Sequence, residues 1–121
     1  MKALTLLLVD DKLMMRRIQS QILQAYGHYV QAEDSGDAAI QTLQQYEFDL
    51  VLMDMNMPDM DGLQTTQKLR SLGIITPVIA LTGNDSDEAR QACQQAGMNG
   101  FIHKPIRLQD FHLEAQRVLV G

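Results

Sequence analysis

At 121 residues, 45% apolar and 21% charged, the chain has the size and balance of one ordinary globular domain, able to bury a core without disulfides or a structural metal. A single cysteine, Cys93, excludes an internal disulfide framework, and no Cys/His cluster has zinc spacing, which fits a reducing, cytoplasmic setting. Ten basic side chains against fifteen acidic ones, a net charge of −5, argue against direct nucleic-acid or anionic-lipid binding, and no apolar run reaches the length of a membrane span.

The first apolar run, Leu4–Val9, is nearly continuous, as a central strand covered on both faces requires. It stops at Asp10-Asp11, where a signal peptide would carry small residues before its cleavage site. A helix is predicted from about Lys12 to Tyr26, with Met14, Ile18, Ile22 and Tyr26 spaced by four and Gly27 as its C′ residue. His28–Ala32 reads as a weaker strand. Ser35 is suited to N-cap a helix running through Ala38, Ala39, Ile40 and Leu43. Asp49–Met53 is a second central strand and leads into Asp54. Pro58 and Gly62 punctuate the stretch after it as a loop, and a helix over Leu63–Leu72 ends at Gly73. Pro77 opens a strand over Val78–Leu81 that Thr82 closes. Asp85 and Glu88, three apart, form a capping-box variant for a helix over Ser86–Ala96 that Gly97 ends. Its inward positions, Ala89, Ala92, Cys93 and Ala96, are all small and bury little area. Gly100–Ile102 is a short strand followed by Lys104. The last helix, Arg107–Val120, turns Leu108, Phe111, Ala115, Val118 and Leu119 inward.

Five alternating strand–helix units of this length predict an α/β domain spanning 1–121, with one parallel sheet and helices on both faces. The two most apolar strands belong at the centre and His28–Ala32 at an edge, which gives strand order 2-1-3-4-5. The topological switch point then falls between the first and third strands, where Asp10, Asp11 and Asp54 gather. Thr82 and Lys104 end up on the same sheet edge. Three ionised carboxylates against one ammonium leave two negative charges uncompensated, which a divalent cation would neutralise. An all-oxygen donor set suits Mg²⁺, with Mn²⁺ acceptable on ligand type. Asp54 stands apart from the acidic pair at a strand end, and a carboxylate there can act as a nucleophile toward phosphorus. Lys104, Thr82 and backbone N–H groups near Met55 and Gly83 are candidates to neutralise the phosphoryl oxygens.

The set Asp10-Asp11, Leu-Val-Leu-Met-Asp54-Met-Asn-Met-Pro-Asp-Met-Asp-Gly62, Ala80-Leu81-Thr82-Gly83 and Phe101-Ile102-His103-Lys104-Pro105 resembles the receiver domain of two-component response regulators and hybrid histidine kinases, over the whole chain. That resemblance implies a flavodoxin-like (βα)5 fold and a phosphorelay function. It implies Asp54 as phosphoacceptor and a histidine kinase or histidine phosphotransfer protein as phosphodonor. An effector domain or downstream protein would then read the output. It also implies Mg²⁺ ligation by Asp11, Asp54 and the backbone carbonyl of Asn56, with Asp10 acting through water, and Lys104 pairing with the phosphoryl group across a cis bond to Pro105. Thr82 and Phe101 match the family's switch pair, which remodels the surface of the fourth helix, fifth strand and fifth helix. Gly83 departs from the usual alanine.

Plainer accounts exist for single residues. One of Asp10 and Asp11 would serve as a helix cap. Met14, Met15 and Ile18 are either core or an adaptable partner patch beside the site, and the three histidines have no assigned role beyond surface or packing. Two other functions share this fold: a flavin or nucleotide binder, and a Mg²⁺-dependent phosphatase with an aspartate nucleophile. The first loop is acidic and no Walker A sequence is present, which disfavours the former. Asn56 occupies the position where the latter carries its acid/base carboxylate.

Overall fold

The computed structural model describes residues 2–120; Met1 and Gly121, the two ends of the expected 1–121 domain, lie outside the described residues. Strands β1 (Thr5–Val9), β2 (Tyr29–Glu33), β3 (Leu50–Asp54), β4 (Val78–Thr82) and β5 (Gly100–His103) alternate with helices α1 (Leu13–Ala25), α2 (Gly36–Gln45), α3 (Gly62–Ser71), α4 (Asp87–Gln95) and α5 (Leu108–Val120). The strands form one five-stranded sheet in the order 2-1-3-4-5, every pair parallel. This is the expected α/β architecture.

Side chains alternate between the two sheet faces with the period of two that pleating dictates. Leu7, Val9, Val51, Met53, Val78 and Ala80 pack under α2, α3 and α4 with Ala39, Leu69 and Cys93. Leu6, Leu8, Leu50, Leu52, Ile79 and Leu81 pack under α1 and α5 with Leu23, Phe111 and Ala115. Residues of β1, β3 and β4 are therefore buried on both sides, whereas β2 at the edge shows a mostly exposed pattern. Burying a large aliphatic side chain contributes about 1.5–3 kcal/mol, so the central strands hold the fold together.

Element ends follow local chemistry. Ser35 Oγ accepts from Ala38 N–H at the start of α2. Gly27, Gly73 and Gly97 follow α1, α3 and α4 with φ of 93°, 80° and 100°, the left-handed region that ends helices. Three expectations shift. α4 is capped by Ser86, whose Oγ accepts from Ala89 N–H, because Asp85 is engaged by Arg90 instead of by the helix. α3 begins at Gly62 with a full capping box between Asp61 and Gln64. Several strand bounds move by a residue, so that β3 includes Asp54 and β5 includes His103.

The faces of two helices also differ from expectation. α1 buries Gln19 and Leu23, while Met14 (65% exposed), Ile18 (46%) and Tyr26 (60%) face outward. The first half of α1 is apolar on two faces, so period alone did not say which one meets the sheet. Leu119 on α5 is 39% exposed, because the inward stripe is carried by Phe111, Ala115 and Val118.

Candidate functional site

The carboxyl ends of β1 and β3 lie side by side, with Val9 opposite Met53, so Asp10, Asp11 and Asp54 emerge at one point. One oxygen from each of the three carboxylates lies within 4.8 Å of the others. Asp10 and Asp54 are buried and Asp11 is half-buried. β5 ends beside β4, and Lys104 N–H donates to Thr82 O at 2.8 Å, which brings the lysine to the same edge. Lys104 Nζ donates to Asp54 Oδ1 at 2.6 Å and stands 3.8 Å from Asp10 Oδ2. The Lys104–Pro105 bond is cis.

One ammonium cannot satisfy three carboxylates. Asp10 Oδ1 accepts from Lys12 N–H at 2.9 Å, a turn two residues long that leads into α1; the helix itself has no side-chain cap, so the expected capping role is not filled. Its Oδ2, together with Asp11 Oδ1, is buried with no hydrogen-bond partner. Burial pushes the Asp10 carboxyl above its ordinary range; the charges of Asp54 and Asp11 push the same way, against the Lys12 N–H bond and Lys104. Unsatisfied buried oxygens of this kind are costly, and a hard divalent cation is the group that would satisfy them together. The residues present therefore fit a Mg²⁺-type ion.

The backbone holds the site closely. A Cβ added at Gly62, the first residue of α3, would lie 2.6 Å from Asp54 O and 3.0 Å from Met55 Sδ. Only a residue without a side chain lets α3 approach the end of β3 this closely. Met53, Met55 and Met57 pack into the core around Asp54 and are not ligands. Arg16, not anticipated from sequence, donates from Nη1 to Asp10 O at 2.9 Å and fixes the turn into α1.

The remaining candidates are arranged differently from the cluster. Thr82 is buried, and its hydroxyl accepts from Asn84 N–H at 3.0 Å, not from any group of the acidic cluster. Phe101 lies on β5 opposite Ala80 and is half-buried against the core. Asn56 is exposed, and its N–H reaches Asp54 Oδ1 at 3.4 Å. Met55 N–H itself is committed to Leu81 O at 3.1 Å, which leaves the neighbouring Asn56 N–H as the backbone donor near Met55 that faces Asp54. A Cβ at Gly83 would meet nothing within 4 Å, so the space there admits alanine.

The histidines separate. His103 is exposed at the end of β5. His28 is buried at the opposite edge of the sheet, where Nδ1 accepts from Leu4 N–H at 3.1 Å and Nε2 lies 3.2 Å from His112 Nε2. Because Nδ1 accepts, His28 carries its proton on Nε2 and donates it to His112. Burial, with the neighbouring His112, holds the His28 pKa below its ordinary value.

The family model described as the response regulator receiver domain matches residues 6–116. The sensor histidine kinase RcsC of Escherichia coli K12 is 38% identical over 117 residues, covering 93% of this chain and 12% of that protein. The transcription factor SKN7 of Saccharomyces cerevisiae is 40% identical over 111 residues, covering 92% of this chain and 18% of that protein. The chain thus spans only a small part of the length of these curated relatives. Among solved structures, the receiver domain of the sensor histidine kinase PA1611 from Pseudomonas aeruginosa PAO1 superposes with a TM-score of 0.86 at 30% identity, covering 99% of this chain and 100% of that one. With the acidic cluster at the sheet edge, the strand order and this match in view, the chain belongs to the response regulator receiver domain family, the phosphoacceptor module of two-component signalling.

Proposed function

We propose that Asp54 accepts a phosphoryl group from a histidine kinase or a histidine phosphotransfer protein. The observation that carries this reading is the imbalance at the site: three clustered carboxylates, one lysine to pair with them, and two buried oxygens with no hydrogen-bond partner. In the transfer, a carboxylate oxygen of Asp54 bonds to phosphorus as the phosphorus–nitrogen bond of phosphohistidine breaks, and the imidazole leaves with the electron pair. The side chains of Asp10, Asp11 and Asp54 and the backbone carbonyl of Asn56 would hold Mg²⁺, or Mn²⁺. A magnesium ion coordinated in the active-site cleft of the PA1611 receiver supports that assignment. When bound, the ion neutralises phosphoryl oxygens and so favours transfer.

Lys104, already hydrogen-bonded to Asp54, exchanges the carboxylate for the new phosphoryl oxygens. Asn56 offers no carboxylic acid for steady hydrolysis, so the domain assists its own modification without acting as a turnover enzyme. The phosphoryl group adds about −1.5 to −2 charge with strong acceptor oxygens. Thr82 turns its hydroxyl toward them, Phe101 fills the space, and the surface of α4, β5 and α5 changes. An effector domain or downstream protein reads that surface. The exposed Met14 and Ile18 on α1, beside the site, suit docking of the phosphodonor. Residues 1–121 act as one cytoplasmic receiver unit in this reading. No helix among the described residues is long and apolar enough to cross a membrane.

Incubation with Mg²⁺ and acetyl phosphate followed by intact-mass measurement tests the proposal. One acid-stable, base-labile phosphoryl adduct is expected, and Asp54→Ala abolishes it. An unchanged mass in folded wild type overturns the assignment, and sustained phosphate release points to a phosphatase.

A further inference from the structure

A continuous set of contacts joins Thr82 to the ring of Phe101 through the β4–α4 loop. Asn84 N–H donates to Thr82 Oγ1 at 3.0 Å. Asn84 Oδ1 accepts from Ser86 N–H at 3.1 Å, and Ser86 Oγ in turn caps α4 through Ala89 N–H at 3.1 Å. Asp85 lies inside this loop. Its Oδ1 accepts from Arg90 Nε at 2.9 Å and Nη2 at 2.6 Å. Held there, the Arg90 guanidinium sits over the Phe101 ring, 4.6 Å from its centroid.

The ring's own strand is tied down from the other side. Phe101 N–H donates to Glu114 Oε2 at 2.7 Å, and Glu114 is held in turn by Arg117 at 2.7 Å. Burial works against ionised Glu114, but the bonds from Arg117 and Phe101 N–H outweigh it, and Arg90 adds to them, so its pKa stays below the ordinary range. A cavity of about 240 Å³, lined in part by Cys93, Met98 and Phe101, borders the ring, so packing alone does not lock it. α4 has only small side chains on its inner face to anchor it.

We propose that Arg90, positioned by Asp85, is a clamp that holds Phe101 in its resting position and that movement of the Thr82 loop releases it. This rests on Thr82 and Phe101 being the switch pair of the proposed function. When Thr82 turns toward a phosphoryl group, Asn84 N–H loses its acceptor. The loop must rearrange, Asp85 moves with it, and the guanidinium leaves the ring face. Arg90 is a positioning residue in this scheme, remote from the phosphoryl chemistry. Both its charge partner and its ring contact are weak at exposed sites, so the clamp biases the switch by about two- to fivefold and does not lock it.

The test compares wild type, Arg90→Ala, Asp85→Asn and Arg90→Lys by the ¹³C–¹H resonances of the Phe101 ring, before and after acetyl phosphate with Mg²⁺. Backbone amide spectra check that each variant is folded, and intact mass checks modification. Arg90→Ala and Asp85→Asn are expected to move the unphosphorylated ring resonances part of the way to the phosphorylated position, with the adduct still forming. Arg90→Lys, which keeps a cation near the ring, restores most of the wild-type shift. Changes that reflect only loss of the guanidinium's local field at the ring, with no progress toward the phosphorylated position, overturn the clamp. Failure of wild type to gain the adduct overturns the receiver reading instead, and resting-state ring positions identical to wild type in both disrupting variants still refute the clamp.

Discussion

The two edges of the sheet handle buried polar groups in opposite ways. At the carboxyl edge, Asp10 Oδ2 and Asp11 Oδ1 are buried without hydrogen-bond partners, and three carboxylates share one lysine. At the amino edge, both nitrogens of buried His28 are engaged, one by Leu4 N–H and one by His112, while Asp49 Oδ2 accepts from Thr5 N–H at 2.8 Å. The same sheet therefore has one end arranged for stability and another that gives up stability in order to bind charge. Buried Gln19 on α1 also has an amide without a partner, so it is the convergence of unmet oxygens with uncompensated charge that marks where a cation belongs.

Substitutions at the two edges should change stability with opposite signs. The largest effect is expected from His28→Ala. It strips Leu4 N–H of its acceptor and leaves a cavity beside Phe111, for a cost of about 2–4 kcal/mol in urea unfolding. A loss below the experimental error would show the amino edge to be unimportant. Asp10→Asn, at the other edge, is expected to stabilise the metal-free protein by about 1 kcal/mol. Since the Asp10 pKa is raised by burial, its ionisation destabilises the fold as pH rises through that value, and the amide removes this penalty. The same variant should lose most of the stabilisation that Mg²⁺ confers on wild type, read as the shift in urea midpoint with added MgCl₂. Equal shifts in both proteins would remove Asp10 from the cation site.

The smallest expected effect is on pH dependence. The folded pKa of His28 lies below its unfolded value of about 6.5. Its contribution is complete above that unfolded value and is lost as pH falls through the lower folded one. Wild-type stability should therefore decline over that acid window more steeply than that of His28→Ala. Parallel profiles would show that His28 does not couple to folding there.

Much of this arrangement was legible in the order of residues. The apolar runs at Leu4–Val9 and Asp49–Met53 read as the central strands, and an edge place for β2 follows from its weaker pattern. Asp10, Asp11, Asp54, Thr82 and Lys104 each stand at or just beyond a strand end, so a parallel sheet brings them to one edge. Arg90 gave no such signal, because its contact with Phe101 joins an exposed helix position to a strand eleven residues away and depends on Asp85 leaving its expected capping role. His28 and His112 were invisible for a similar reason, since their pairing crosses 84 residues and requires α5 to lie beside the start of β2.

Periodicity and strand-end chemistry determined the fold class, the strand order and the convergence of the acidic residues. These are local patterns whose consequences in three dimensions have few alternatives. Tertiary structure alone decided which side of α1 is buried, which backbone N–H groups are already occupied, and what holds the Phe101 ring. Those outcomes depend on side chains distant in sequence competing for the same neighbour, and only the packed chain decides that competition.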